Sequence, residues 1–214
     1  ISRELNLAKS TIYYYYKKIK GKKFKDVEFN FNTENELGEF LGIFAGDGNF
    51  NSRRKGEYNI RIFIGYYEKE YAYSLEKFFF NIFNKKPYLW QKAQSVITLV
   101  YRSKKLYYLI RNYLTWEEDN KKTYSIKLIN LDHSNQFLIG FLKGLLDTDG
   151  NYYRIKNTVS FSTTSKNLDA QTKDIIRNIL NLRFSESIRY RENRKPLYQV
   201  LLYGENARSI LKIL

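Results

Sequence analysis

Two segments, one in each half of the chain, match each other position by position, and few folds can accommodate the match. The first reads Gly38-Glu39-Phe40-Leu41-Gly42-Ile43-Phe44-Ala45-Gly46-Asp47-Gly48-Asn49; the second reads Gly140-Phe141-Leu142-Lys143-Gly144-Leu145-Leu146-Asp147-Thr148-Asp149-Gly150-Asn151. Gly38, Gly42 and Gly46 recur every fourth residue, as do Gly140, Gly144 and Thr148. On a helix that spacing makes one stripe of small residues, along which a second backbone can approach closely. Both segments then end in Asp-Gly-Asn, with the Gly expected to close each helix in a left-handed cap. If the stripes pack on each other, Asp47 and Asp149 arrive side by side at the bottom of the interface.

The duplication extends past these helices. Thr33 and Glu36 form a capping box ahead of the first. Strands are expected near residues 49–53 and 58–66, a helix over 68–84, strands over 88–92 and 95–103, and a helix over 104–114. The second copy repeats the order: a helix over 134–148, strands near 152–155 and 158–164, a helix over 167–182, strands over 185–191 and 198–203, and a helix over 205–214. The fold class is therefore α+β, built from two pseudo-symmetric αββαββα units over 33–115 and 134–214, with a polar linker at 116–133. Ile60, Ile62 and Ile64 alternate with Arg61, Phe63 and Gly65, followed by Tyr67; Val159, Phe161 and Thr163 alternate with Ser160, Ser162 and Thr164. This alternation gives each sheet a face toward its helices and a wet face.

Residues 1–24 stand apart. Ser2 caps a short helix, a turn follows at Leu7-Ala8, and a second helix starts at Ser10, a pattern like a helix-turn-helix that lacks its first helix. From Lys9 to Lys25 there are seven Lys and no acid, which suits contact with phosphates. The chain as a whole carries 37 Lys and Arg against 22 Asp and Glu, a formal charge of +15, and that balance points to nucleic acid as partner. No Cys is present, which excludes a disulfide, a thiolate metal site and a catalytic thiol. One histidine, His133, cannot make a zinc motif and is expected in a loop or at a helix start. No membrane span or secretory signal is visible, so an intracellular location, with DNA, is expected. The start at Ile1 and the absence of Met are read as those of a piece of a longer product.

Two carboxylates held together at negative helix ends attract a hard cation, here Mg²⁺ with Mn²⁺ as substitute, and the backbone carbonyls of Gly46 and Thr148 could add ligands. A metal there could activate water and stabilise charge on a phosphodiester. Residues 40–48 and 142–150 resemble the paired nine-residue motifs of LAGLIDADG homing endonucleases in their single-chain, two-motif form, and the second is the nearer match. The resemblance spans residues 33–214. It implies two units sharing the motif helices and saddled over double-stranded DNA, a monomer by internal duplication, and metal-dependent hydrolysis of both strands at a long target with 3′ overhangs. The family's acid at the eighth motif position falls on Asp47 and Asp149. Ala45 stands where the sixth-position acid is usual, while Asp147 keeps it. At the end of the second strand, where the family places Gln, Asn or Lys, stand Tyr66 and Tyr67, then Thr163 and Thr164. Lys122 is similar to the family's post-helix lysine, with Lys121 the neighbouring choice.

Candidate DNA contacts on the wet faces and their turns are Arg53, Arg54, Arg61, Phe63, Tyr67, Lys92 and Arg102 in the first unit. In the second they are Arg154, Ser160, Ser162, Thr164, Arg189, Arg191 and Gln199. The alternative function is a binder that does not cut, such as an intron RNA-splicing maturase or a DNA-binding regulator on the same scaffold. Nothing favours an intein, since no Cys nucleophile or terminal His-Asn pair is present.

Overall fold

A computed structural model describes residues 7–20, 26–51, 56–92, 95–117 and 121–213. A basic helix, α1 (Lys9–Lys20), precedes the first unit. That unit runs α2 (Glu34–Asp47), β1 (Gly48–Phe50), β2 (Asn59–Gly65), α3 (Lys69–Phe83), β3 (Tyr88–Lys92), β4 (Val96–Arg102) and α4 (Lys104–Tyr113). A connecting segment holds β5 (Leu114–Thr115), α5 (Lys122–Ser125) and β6 (Lys127–Leu128). The second unit runs α6 (Asn135–Asp149), β7 (Gly150–Tyr153), β8 (Thr158–Thr163), α7 (Lys166–Asp174), β9 (Ser185–Arg191), β10 (Arg194–Tyr203) and α8 (Gly204–Ile213). The sheets have the same antiparallel order, β1-β2-β4-β3 and β7-β8-β10-β9, so the duplication is a property of topology as well as of motif.

α2 and α6 make the most extensive contact between any two elements. Their glycines explain the closeness. A Cβ built on Gly38 or Gly42 would overlap the carbonyl of Phe137 or Phe141, and one on Gly140 or Gly144 would overlap that of Asn35 or Glu39. Backbone therefore meets backbone where a side chain would keep the helices apart. Phe40, Leu41, Ile43, Phe44, Phe141, Leu142 and Leu145 are almost fully buried, and Phe40 packs on Phe79 and Phe83 of α3. Thr33 Oγ1 accepts the Glu36 N–H at 3.2 Å, and Glu36 reaches back to the Asn32 N–H at 2.7 Å. Ser134 caps α6 through the Phe137 N–H, and its hydroxyl also bonds the Glu34 carboxylate, which ties the two helix starts together. His133 lies just before that cap with its ring against Tyr113 and Phe137.

Four expectations change. Gly48 (φ −79°) and Gly150 (φ −87°) are extended rather than left-handed, because each helix passes straight into a strand. Glycine is needed there for space, since a Cβ would overlap Phe44 or the Leu146 carbonyl. The linker is folded: Ile126 and Leu128 are buried, and Leu128 pairs with Leu114 at the end of the first unit. The Gln171 carboxamide grips Leu128 N–H and C=O, both at 2.9 Å, and the Ser165 hydroxyl donates to the Ile126 carbonyl at 2.7 Å. Third, the helix expected over 167–182 ends in a wide π turn, Ile175–Ile179, in which the consecutive Ile175 and Ile176 are both buried. Finally, a short 3-10 turn, Tyr66–Glu68, carries the chain from β2 into α3. Of the N-terminal expectations, the Ser2 helix lies outside the described residues, while the helix expected from Ser10 is α1.

Candidate active site

The last turns of α2 and α6 meet where each helix gives way to a strand. A Cβ built on Gly46 would overlap the Thr148 hydroxyl and sit 3.3 Å from Asp149 Oδ2, so the Asp149 carboxylate reaches across to the end of the opposite helix, where Asp47 stands. The charge of Asp149 acts on Asp47. Burial, then the Asp149 charge, pushes Asp47 up to about 7 against the opposing pull of Lys122. Burial likewise pushes Asp149 up to about 6. Asp149 keeps an open side to solvent, so crowding by protein on its other sides, rather than full enclosure, causes the rise.

Lys122 is the cation of the site. Its Nζ donates to three carbonyls at the end of α2: Phe44 at 2.8 Å, Ala45 at 2.8 Å and Gly46 at 3.1 Å. These are carbonyls that an ending helix leaves without partners, at the negative end of its dipole. Burial pulls Lys122 down to about 7, opposed by Asp149 and Asp47. Three acceptors for one nitrogen nevertheless require three protons, which only the ammonium form has. The side chain of Thr148 is also engaged, donating to the Gly144 and Leu145 carbonyls at 3.0 and 3.1 Å.

The donor set suits a hard cation. Two carboxylates offer oxygen only, and no third acid, Cys or His joins them in a cluster among the described residues. A cation here would complete its shell with water and phosphate oxygens, the habit of Mg²⁺.

The wet faces differ between the sheets. On the first, Phe63, Thr98 and Trp90 form one row, and Asn49, Arg61, Val100 and Tyr88 another. Asn51, with its amide oxygen turned inward, receives the Arg61 guanidinium at 2.6 and 3.1 Å. A cleft of about 800 Å³ opens over this face, lined by Tyr58, Arg61, Tyr88, Trp90, Arg102 and Lys104 among others. On the second sheet the row is Ser162, Gln199 and Ser187, with the Ser187 hydroxyl donating to Gln199 at 3.3 Å. Tyr67 is 99% exposed, and Arg102, Arg154 and Arg189 are exposed. Ser160 corrects the expectation: flanked by Asn151 and Leu201 in the ladder, it is only 5% exposed and has no surface to offer. The Thr164 hydroxyl is spent on the Thr123 carbonyl at 2.8 Å. Arg53 and Arg54, and the side chains of Lys92 and Arg191, lie outside the described residues. Sequence reasoning missed Tyr88 and Trp90, whose spacing of two on β3 was the available signal, and Glu68, whose charge acts on Asp47 from the turn after β2.

Residues 136–214 match the family model of the LAGLIDADG-like domain. The match falls on the second unit. It contains the better of the two motifs, and the whole chain carries the two-motif LAGLIDADG fold of single-chain homing endonucleases. Homing endonuclease I-DmoI, in a structure with DNA and Ca, is 20% identical with a TM-score of 0.59, over 85% of this chain and 90% of that one. I-WcaI bound to its DNA recognition sequence is 17% identical with a TM-score of 0.52, over 100% of this chain and 91% of that one. Full-length DUF199/WhiA from Thermatoga maritima is 12% identical with a TM-score of 0.55, over 86% of this chain and 56% of that one. At these identities the likeness speaks for the fold. No curated protein matches the sequence. No helix among the described residues is long and apolar enough to cross a membrane.

Proposed function

We propose that this chain is a site-specific, metal-dependent double-strand DNA endonuclease, a homing endonuclease that acts as a monomer. The observation that carries this reading is the placement of Asp149 Oδ2 against the end of α2 beside Asp47, with the charge of each acid kept costly by burial. A protein that only bound DNA would gain nothing from two crowded carboxylates facing a polyanion. Mg²⁺, or Mn²⁺ in its place, supplies Lewis acidity and a water of lowered pKa when bound. Structures of I-DmoI with DNA and Ca or Mn support a divalent ion for this fold.

In this reading Asp47 and Asp149 hold the cation, and the carbonyls of Gly46 and Thr148 are further candidate ligands. Lys122 caps α2 and holds positive charge beside both acids, where charge on a phosphate oxygen would build up. The first sheet offers Phe63, Arg61, Arg102 and Tyr67 to the DNA, joined by Tyr88, Trp90 and Lys104; the second offers Ser162, Gln199, Arg154 and Arg189. A long target, 3′ overhangs and intron homing follow from the family resemblance. The body comprises units 33–115 and 134–214 joined by 116–133. Residues 1–24 add a basic arm, in which exposed Tyr13 to Tyr16 and the lysines of α1 extend the grip on flanking DNA.

The test is a plasmid carrying the uninterrupted insertion locus of the reading frame. Linearisation in Mg²⁺, blocked by EDTA and absent in Ca²⁺, is expected. Specific binding without Mg²⁺-dependent linearisation would instead assign the chain to the binding regulators or splicing helpers.

A further inference from the structure

The turn that carries Lys122 is too short to hold itself. α5 has four residues, Lys122–Ser125, and a single helical turn has little stability of its own. Its lysine nevertheless meets three carbonyls of α2 at once. A lysine reaches out on a flexible four-carbon stem, so that meeting depends on where the backbone of the turn is fixed.

Much of the fixing comes from the second unit. Thr164, just past the end of β8, donates its hydroxyl to the carbonyl of Thr123, the residue after Lys122, at 2.8 Å. Ser165 donates to the Ile126 carbonyl at 2.7 Å, where the chain leaves the turn. Lys195 of β10 lies over the Tyr124 ring, 5.8 Å from its centre. From the other side, the Ser125 hydroxyl accepts the Glu117 N–H at 3.1 Å. Ser125 and Ile126 therefore secure the far end of the turn, and Thr164 secures the end that bears the lysine. The neighbouring hydroxyls also serve the second unit itself. Thr163 Oγ1 accepts the Ser165 N–H at 3.2 Å, and Ser165 Oγ caps α7 through the Leu168 N–H at 3.3 Å. The bond of Thr164 has a different use, since it leaves the unit altogether. Valine would suit a strand end as well as threonine, so the turn that it holds is what explains the hydroxyl.

We propose that Thr164 is a positioning residue of the nuclease centre, through which the second unit fixes the turn Lys122–Ser125 and so sets Lys122 against the end of α2. This rests on the nuclease reading and deepens it: the cation that stands by the first motif is placed by the unit that carries the second.

The test is Thr164→Val in the full chain, which keeps the branched shape and removes only the hydroxyl. In ¹⁵N NMR of lysine-labelled protein, a protected ammonium resonance that disappears in Lys122→Met identifies Lys122. Thr164→Val should broaden or abolish that resonance, and Thr164→Ser should restore it. Thr158→Val, at the other end of β8, whose hydroxyl bonds the Lys156 carbonyl of its own turn, should leave it as in wild type. Mg²⁺-dependent turnover by Thr164→Val should slow about 10- to 100-fold with KM little changed. Added to Lys122→Met, the same change should slow turnover by less than about twofold more, since both act through one side chain. An unchanged Lys122 resonance in Thr164→Val, or losses that multiply when the two changes are combined, would overturn the proposal. If the wild type cuts nothing, the nuclease reading falls, while the resonance still decides whether Thr164 holds Lys122 in place.

Discussion

Asp47 and Asp149 are held where their charged forms are disfavoured, and that has a measurable sign. Their folded pKa values, about 7 and about 6, lie above the ordinary 3.8. What they contribute to stability is therefore complete below the ordinary value and lost as pH rises through 6 and then 7. Lys122, drawn down to about 7, works the opposite way: its contribution is present above the ordinary 10.5 and lost as pH falls through 7. A divalent cation needs both acids ionised, so its binding must displace protons at pH 6 and few at pH 8. Mn²⁺ affinity is expected to fall roughly tenfold or more between pH 8 and pH 5.5. Calorimetry in two buffers of different ionisation heat measures both the affinity and the protons released, and a pH-independent affinity would contradict this electrostatic account. Lys122→Met should cost about 1–3 kcal/mol in urea unfolding, because it strips charged hydrogen bonds from the end of α2. At this scale the acids were legible because the same letters recur at matching places in both copies. Glu68 was not, since its charge acts on Asp47 from the turn after β2 and no local pattern marks that meeting.

Among the elements, the seam between α2 and α6 carries the architecture. Gly42→Ala or Gly144→Ala would drive a methyl group into the opposing backbone, and each should cost about 1–3 kcal/mol by overpacking, read from the urea midpoint. A near-neutral result for both would mean that the helices are less closely apposed than described. Most elements could be read from periodicity, because each strand and helix buries one face and the sequence must alternate accordingly. The connecting segment escaped because Ile126 and Leu128 are scattered among charges and their backbone groups find partners on α7 and its N-cap. The conformation of Gly48 and Gly150 escaped for another reason. An Asp-Gly after a helix fits a left-handed cap and a close approach equally well, and only the strand that follows decides.

For the whole molecule, a charge of +15 and an arm carrying Lys9, Lys17, Lys18 and Lys20 predict binding dominated by phosphates. Affinity should fall steeply with salt, and a flat response would argue for another partner. Removing residues 1–24 should weaken binding more than turnover and lower the salt slope by about 0.9 for each phosphate that the arm neutralises. Unchanged affinity would show that the arm does not touch DNA. The measurement that bears most directly on the account is cleavage and binding of one target by Asp47→Asn, Asp149→Asn and the wild type in Mg²⁺. Each variant should bind like wild type, gain a few °C of metal-free Tm from the relieved charge, and fail to cut both strands. Double-strand cleavage retained by either variant would contradict the assignment of the paired acids as the catalytic centre.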